Sequence, residues 1–214
     1  MKAIGILGSG AVGKTLADGF SSKGYRVMVG TRHPNKLEKF RDEHSKVLIG
    51  SFNEAAEHGH ILVLAVKGTA VRDLLKEIDP RYLKGKVVID ATNPISEKEP
   101  TNGVLHFFTD LETSLMEKLQ SDHPDVRFVK AFNSIGHALM VDPDLGGVQP
   151  SMFFCGNDDD AKKEVREILE HFGFVPEDMG KAEAARAIEP LCMLWCIPGF
   201  LNGEWNHAIS LIRG

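Results

Sequence analysis

The chain has 214 residues, of which 43% are hydrophobic and 26% charged, and its formal net charge is −5. That length affords one domain plus an appendage around a sizeable core, and the composition is what a soluble globular protein carries. The negative balance argues against nucleic acid or an anionic membrane surface as a partner. Met1-Lys2 leads straight into an apolar run, so no signal peptide is expected, and no apolar run approaches membrane length. Cys155, Cys192 and Cys196 lie in apolar company and read as reduced thiols of a cytoplasmic protein. Cys192 and Cys196 stand one helical turn apart, but no His or second Cys pair completes a set, so no metal is expected.

In chain order, the apolar run Lys2–Leu7 stops at Gly8-Ser9-Gly10-Ala11-Val12-Gly13, after which Val12, Leu16 and Phe20 recur with helical spacing. In such a strand–turn–helix Gly8 permits the tight turn. Gly10 lets the backbone approach a pyrophosphate, and Gly13 lets the helix lie close to the strand. The helix start then offers unpaired N–H groups and the positive end of its dipole to an anion. The stretch predicts dinucleotide binding.

The second strand, Tyr25–Gly30, is followed by Thr31-Arg32-His33-Pro34-Asn35-Lys36, and no acid occurs between Asp18 and Glu38. NAD-specific folds place Asp or Glu about twenty residues past the glycines to accept from the ribose 2′-OH. Here Thr31, Arg32 and Lys36 stand where a 2′-phosphate would sit, and Arg can grip phosphate bidentately. NADP is the expected coenzyme.

Pro34 opens a helix to about Glu43, a short strand covers Val47–Ile49, and Ser51-Phe52-Asn53-Glu54 is a capping box. His60–Lys67 and Lys86–Thr92 read as buried parallel strands, with a helix over Thr69–Asp79 between them. The second of these strands ends Asp90-Ala91-Thr92-Asn93-Pro94, and Ile95–Phe108 follows as a long loop. Thr109-Asp110-Leu111-Glu112 resembles another capping box, opening a helix to about Ser121. Val126–Phe132, Ser151–Cys155 and Phe174–Met179 are the last strands, and Asp158–Asp160 start a helix rather than a calcium site. The alternation predicts an α/β, Rossmann-type, doubly wound and mostly parallel sheet. Residues 1–180 form the NADP-binding domain, and 181–214 form a helical segment packed on it or on a dimer mate. Pro190, Pro198, Gly199 and Gly203 are expected to break that segment into short pieces, with Trp195 or Trp205 closing an acceptor pocket above Asn93 and Asn133. A homodimer is expected from the same apolar strip.

The chemistry is constrained by what is missing. Tyr82 and Lys86 match the spacing of a short-chain dehydrogenase pair, but they sit in a Pro- and Gly-punctuated turn. The residues after Gly180 are too few for a helical substrate domain, and no G-x-S-x-G elbow exists. Asn133 and His137 are the candidate catalytic residues. Hydride exchange with a flavin-like ring needs mainly face-to-face positioning and exclusion of water, because the cofactors carry the chemistry.

At these residues the sequence resembles the coenzyme F420-dependent NADP oxidoreductases and their relatives, among them the cytosolic domain of the STEAP metalloreductases. The resemblance rests on Gly8–Gly13, on Gly30-Thr31-Arg32 with Lys36, and on Ala131-Phe132-Asn133-Ser134-Ile135. Cys155-Gly156-Asn157-Asp158-Asp159 and Ala185–Leu191 extend it across the chain. It implies NADP held by Ser9, Ala11, Val12, Thr31, Arg32 and Lys36, with the nicotinamide near Ala65, Val66, Asn93, Pro94 and Asn133. It also implies a second redox-active ring, F420 or another flavin, stacked on the nicotinamide as the small-molecule acceptor. One departure stands out: archaeal members have His-Thr-Ile-Pro at Asn133-Ser134-Ile135-Gly136, and that His and Pro border the deazaflavin pocket. Three functions stay open: an NADPH:flavin-type oxidoreductase, an NADP-dependent reductase of a small carbonyl or imine, and a redox-sensing NADP module.

Overall fold

A computed structural model describes residues 2–214. Its centre is β1 (Ala3–Leu7), flanked by β2 (Arg26–Gly30) and β4 (Ile61–Leu64), all parallel. With β3 (Val47–Gly50), β5 (Val87–Asp90), β6 (Arg127–Lys130), β7 (Ser151–Gly156) and β8 (Val175–Asp178) the sheet has the order β3-β2-β1-β4-β5-β6-β7-β8. The first six strands are parallel; β7 is antiparallel to β6, and β8 runs with β7. This is the doubly wound Rossmann arrangement, with its reversal of strand order beside β1, where ligands bind at strand carboxyl ends.

Both faces of the central strands are buried, which is why they read as unbroken apolar runs. Ile4, Ile6 and Val63 pack on one face with Phe20 of α1 (Ala11–Ser22) and Val165 of α6 (Asp159–His171). Leu7, Leu62, Leu64 and Val88 pack on the other with α3 (Phe52–His58), α4 (Gly68–Glu77) and α5 (Leu115–Asp122). β4 and β5 leave the ladder earlier than expected, at Leu64 and Asp90. Ala65–Lys67 and Ala91–Asn93 are thereby freed to line the crevice. After β2, Pro34–Leu37 form a 3-10 turn before α2 (Glu38–Glu43).

Two local expectations are corrected. Thr109–Glu112 caps no helix: Asp110 Oδ1 accepts from the N–H of Glu112 (2.9 Å) and Thr113 (3.0 Å), an Asx turn that competes with helix formation. The working capping box is Ser114 with Glu117, which sets Leu115, Met116 and Leu119 on the buried face of α5. The tail, in turn, is not broken at Pro190, Pro198 or Gly199; it leaves the helix only at Gly203, and residues 203–214 are not helical. α7 runs as one helix, Ala185–Asn202, through both prolines, and ends at Gly203 in the left-handed region. Each proline removes a backbone bond at a cost of roughly 3 kcal/mol. Burial of Ile188, Cys192, Trp195 and Cys196 offsets that cost. Residues 182–202 are also long and apolar enough, by length and composition, to cross a membrane, against the expectation that no run approaches that length. Here the inner face of that helix packs on the domain.

The Ile95–Phe108 loop is anchored rather than loose. Ile95 bridges Phe107, Thr101 bridges Val104, and Ser96 N donates to His106 O at 2.7 Å. Leu105 buries itself against Cys192 and Trp195 of α7.

Candidate functional site

The glycine turn gives each glycine a distinct reason. Gly8 has φ +136°, and a Cβ there would lie 2.2 Å from Ala65 O; a Cβ on Gly13 would lie 2.2 Å from Gly8 O. Both are demanded by the fold. Gly10 is not: it caps α1 in an extended conformation any residue adopts, and a Cβ would meet nothing within 4 Å. That open space in front of a helix N-terminus with no acid in its first turn is the cradle a pyrophosphate requires. The residues present fit a dinucleotide, which Ser9, Gly10, Ala11 and Val12 would hold.

Thr31 is buried and braces this turn. Its Oγ1 accepts from Ser9 Oγ (3.0 Å) and from His33 N (3.1 Å), while its own N–H bonds Gly50 O. Lys36 is exposed and in no ion pair among the described residues. Arg32 lies over the Phe52 ring and is held by Glu77, an acid 45 positions along the chain that local sequence does not point to.

At the other end of the crevice, a cavity of about 370 Å³ opens between Val12, Asn93, Asn133, His137, Trp195 and Trp205. A smaller hollow of about 260 Å³, lined by Val66, Gly68 and Ser96, shares Ala91 and Asn93 with it. Ala65 and Pro94 are buried beside it, and Pro94 O accepts from Phe108 N. A larger cavity, about 470 Å³, lies at the opposite end of the sheet, between residues that precede β5 and β6. It contains none of the predicted site residues.

Asn93 and Asn133 are brought together as a pair. Asn93 Nδ2 donates to Asn133 O (2.7 Å), and Asn133 Nδ2 donates to Asn93 Oδ1 (3.1 Å) and to Ile188 O (3.0 Å). Asn133 is aimed by strain: the preceding Phe132 has φ +61°, a conformation costing about 1–2 kcal/mol outside glycine. Packing of the Phe132 ring on Phe172 and Phe174 holds it there. His137 stands exposed on a 3-10 turn, and its imidazole makes no hydrogen bond among the described residues.

Beneath the pair lies an ionic cluster that sequence reasoning missed. Lys130 Nζ sits 2.7 Å from Asp90 Oδ2, 2.9 Å from Glu189 Oε1 and 2.8 Å from Thr92 O, and all three charged side chains are essentially inaccessible. Glu189 also accepts from the N–H of Leu115 and Met116, capping α5, while Asp90 Oδ1 holds Thr92. Burial pushes the Lys130 ammonium down, and the two carboxylates outweigh it, so its pKa stands above the ordinary lysine value. Burial likewise pushes the Cys155 thiol up to about 12 and leaves it unreactive. The available signal was a charged residue closing each of two strands with buried apolar centres, Asp90 after Val87-Val88-Ile89 and Lys130 after Phe128-Val129; in the sheet the two are register partners.

Trp195 and Trp205 wall the cavity from within the same subunit. Trp195 Nε1 donates to His207 O (2.8 Å), His207 Nε2 pairs with Trp195 O (2.9 Å), and the two indoles lie 5.5 Å apart. A Cβ on Gly136 would come within 2.7 Å of the Trp195 ring, and one on Gly199 within 2.3 Å of Trp205. The glycine at 136 is therefore coupled to the indole above it.

A family model for coenzyme F420-dependent NADP oxidoreductases matches residues 3–94. A crystal structure from Arthrobacter sp. FB24, provisionally described as an F420-dependent NADP-reductase, is 30% identical over the whole of both chains, with a TM-score of 0.93. The chain belongs to the coenzyme F420-dependent NADP oxidoreductase family. It is an NADP-dependent oxidoreductase. Metalloreductase STEAP3 of Rattus norvegicus is 33% identical across 92% of this chain, which spans only 38% of that relative's length. An imine reductase from Aspergillus terreus, 15% identical with a TM-score of 0.68 over 95% of this chain and 63% of its own, shares the fold.

Proposed function

We propose that this protein moves a hydride between NADP(H) and a flavin-type acceptor, F420, FMN or FAD. The observation that carries this reading is the cavity beside Val12: an aromatic-walled slot with no paired acid and base among its lining residues. When bound, the nicotinamide supplies the hydride chemistry itself. The protein's part is to bind, orient and keep water out. Asn93 and Asn133 fix the floor, the ionic cluster ties that floor to α7, and Trp195 and Trp205 exclude water from one side. His137 is the one imidazole on the slot, beside the buried Cys192 thiol, and it favours carbonyl or imine reduction as the second reading.

Mixing NADPH with F420, FMN, FAD and a carbonyl panel, and following loss of NADPH absorbance, separates the two. Flavin-type turnover is expected, with His137→Ala lowering it by less than about tenfold. A general acid would cost about 10²–10⁴-fold, and that result, or turnover with carbonyls alone, would favour the second reading.

A second copy of the chain is the proposed cover for the outer face of α7. Residues 190–202 carry no charge, and Leu194 and Leu201, seven residues apart on one face of α7, are both 59% exposed. An uncharged face of this kind is self-complementary and suits a two-fold dimer. Sedimentation should give a dimer that Leu194→Glu with Leu201→Glu converts to monomer; a monomeric parent protein would refute it. Three free, buried cysteines support a reducing, cytoplasmic setting.

A further inference from the structure

Arg32 does not stand free at the end of β2. The Glu77 carboxylate binds its guanidinium through two bonds, Nη2–Oε1 at 2.6 Å and Nε–Oε2 at 3.2 Å. The arrangement is built from several elements. Arg32 lies over the Phe52 ring, 5.8 Å from its centroid. Phe52 can come that close because Gly30 has no side chain: a Cβ there would stand 3.1 Å from Phe52 Cα. The Ser51–Glu54 capping box fixes this first turn of α3. Asn53, next on the same turn, positions the acid: its Nδ2 donates to Glu77 O (3.1 Å) and its Oδ1 accepts from Asp79 N (2.8 Å). Adjacent residues of α3 thus hold one partner each.

A guanidinium offers a limited fork of N–H donors, and the edge that grips a carboxylate bidentately cannot grip a phosphate at the same time. We propose that Glu77 is a latch on the coenzyme site. It holds Arg32 while the site is free and yields it to the 2′-phosphate of NADPH, so that Glu77 sets the strength of the preference for NADPH over NADH. This inference rests on the reading of Arg32 as a phosphate-binding residue. NADH lacks the 2′-phosphate and leaves the pair intact. NADPH must break it, and its apparent affinity is reduced by the fraction of molecules in which Arg32 is engaged. Both partners are about half exposed, so the pair is of the weak, screened kind, and its release corresponds to about a two- to fivefold effect.

The test compares the parent protein, Glu77→Gln, Arg32→Ala and the double variant, each titrated with NADPH and NADH by coenzyme fluorescence, with thermal melting as the folding control. Glu77→Gln should tighten NADPH about two- to fivefold, leave NADH unchanged, and have no effect once Arg32 is gone. Glu77→Ala, which leaves no amide to contact Arg32, should move NADPH affinity in the same direction. Parental NADPH affinity in both Glu77 variants would overturn the latch. So would an equal gain in the Arg32→Ala background, which would make Glu77 a plain repulsive charge. Either outcome leaves the NADP reading standing; that reading fails separately if Arg32→Ala itself spares NADPH.

Discussion

Gly10→Val should abolish measurable NADPH binding while leaving the protein folded. At this position the fold asks for nothing that glycine alone supplies. The backbone is at φ −73°, ψ −172°, which any residue adopts, and no atom lies within 4 Å of where a Cβ would project. The substitution replaces an adequate N-cap residue with a poor one, at a cost of up to about 1 kcal/mol. For a chain of this size that lowers the melting temperature by roughly 2–4 °C. The same open space is where the backbone must approach a pyrophosphate, and an isopropyl group fills it. Gly13→Ala is the contrasting control: its Cβ would be driven to 2.2 Å from Gly8 O, so stability and binding should fall together. Titration and melting curves of the two variants check both statements. A folded Gly10→Val protein with parental NADPH affinity would remove the assignment of the turn.

The parts of this molecule that were legible in its sequence are those decided by local rules. Strands buried on both faces announce themselves as apolar runs, and Ser51-Phe52-Asn53-Glu54 caps α3 as its letters indicate. The glycine turn followed from its place between the first strand and helix, and the family resemblance put Asn93 and Asn133 at one site, where the structure pairs them. What stayed hidden is set by partners distant in sequence. α7 survives Pro190 and Pro198 because burying Cys192 and Trp195 outweighs two lost backbone bonds, a contest that the local proline rule cannot judge. Asp90, Lys130 and Glu189 come from three separate segments, and no one window of sequence contains the cluster. Phe132 takes a left-handed conformation with no glycine to mark it, because buried aromatic contacts impose it. The same distance hides Glu77 from Arg32: an acid was sought just after β2, and it arrives instead from the end of α4.

That pairing makes the outcome at Arg32 the most discriminating measurement on coenzyme choice. Arg32→Ala should weaken NADPH by about 10- to 100-fold and leave NADH little changed. A hydrogen bond to a charged group contributes roughly 1.5–3 kcal/mol, and a guanidinium can supply two to one phosphate. Breaking the exposed pair with Glu77 returns only about 0.2–1 kcal/mol of this, so the net loss stays large on the affinity scale. The other candidates cannot compensate. Thr31 has its hydroxyl committed to Ser9 and His33 inside the turn, and Lys36 offers a point charge without a fork. Arg32→Lys should therefore fall between the parent and Arg32→Ala, keeping the charge but losing the bidentate grip. Melting temperature should barely move, since the guanidinium is half exposed and its partner equally so. Equal losses for NADPH and NADH would instead make Arg32 a structural prop for the Phe52 platform, and the preference for NADP would have to come from elsewhere.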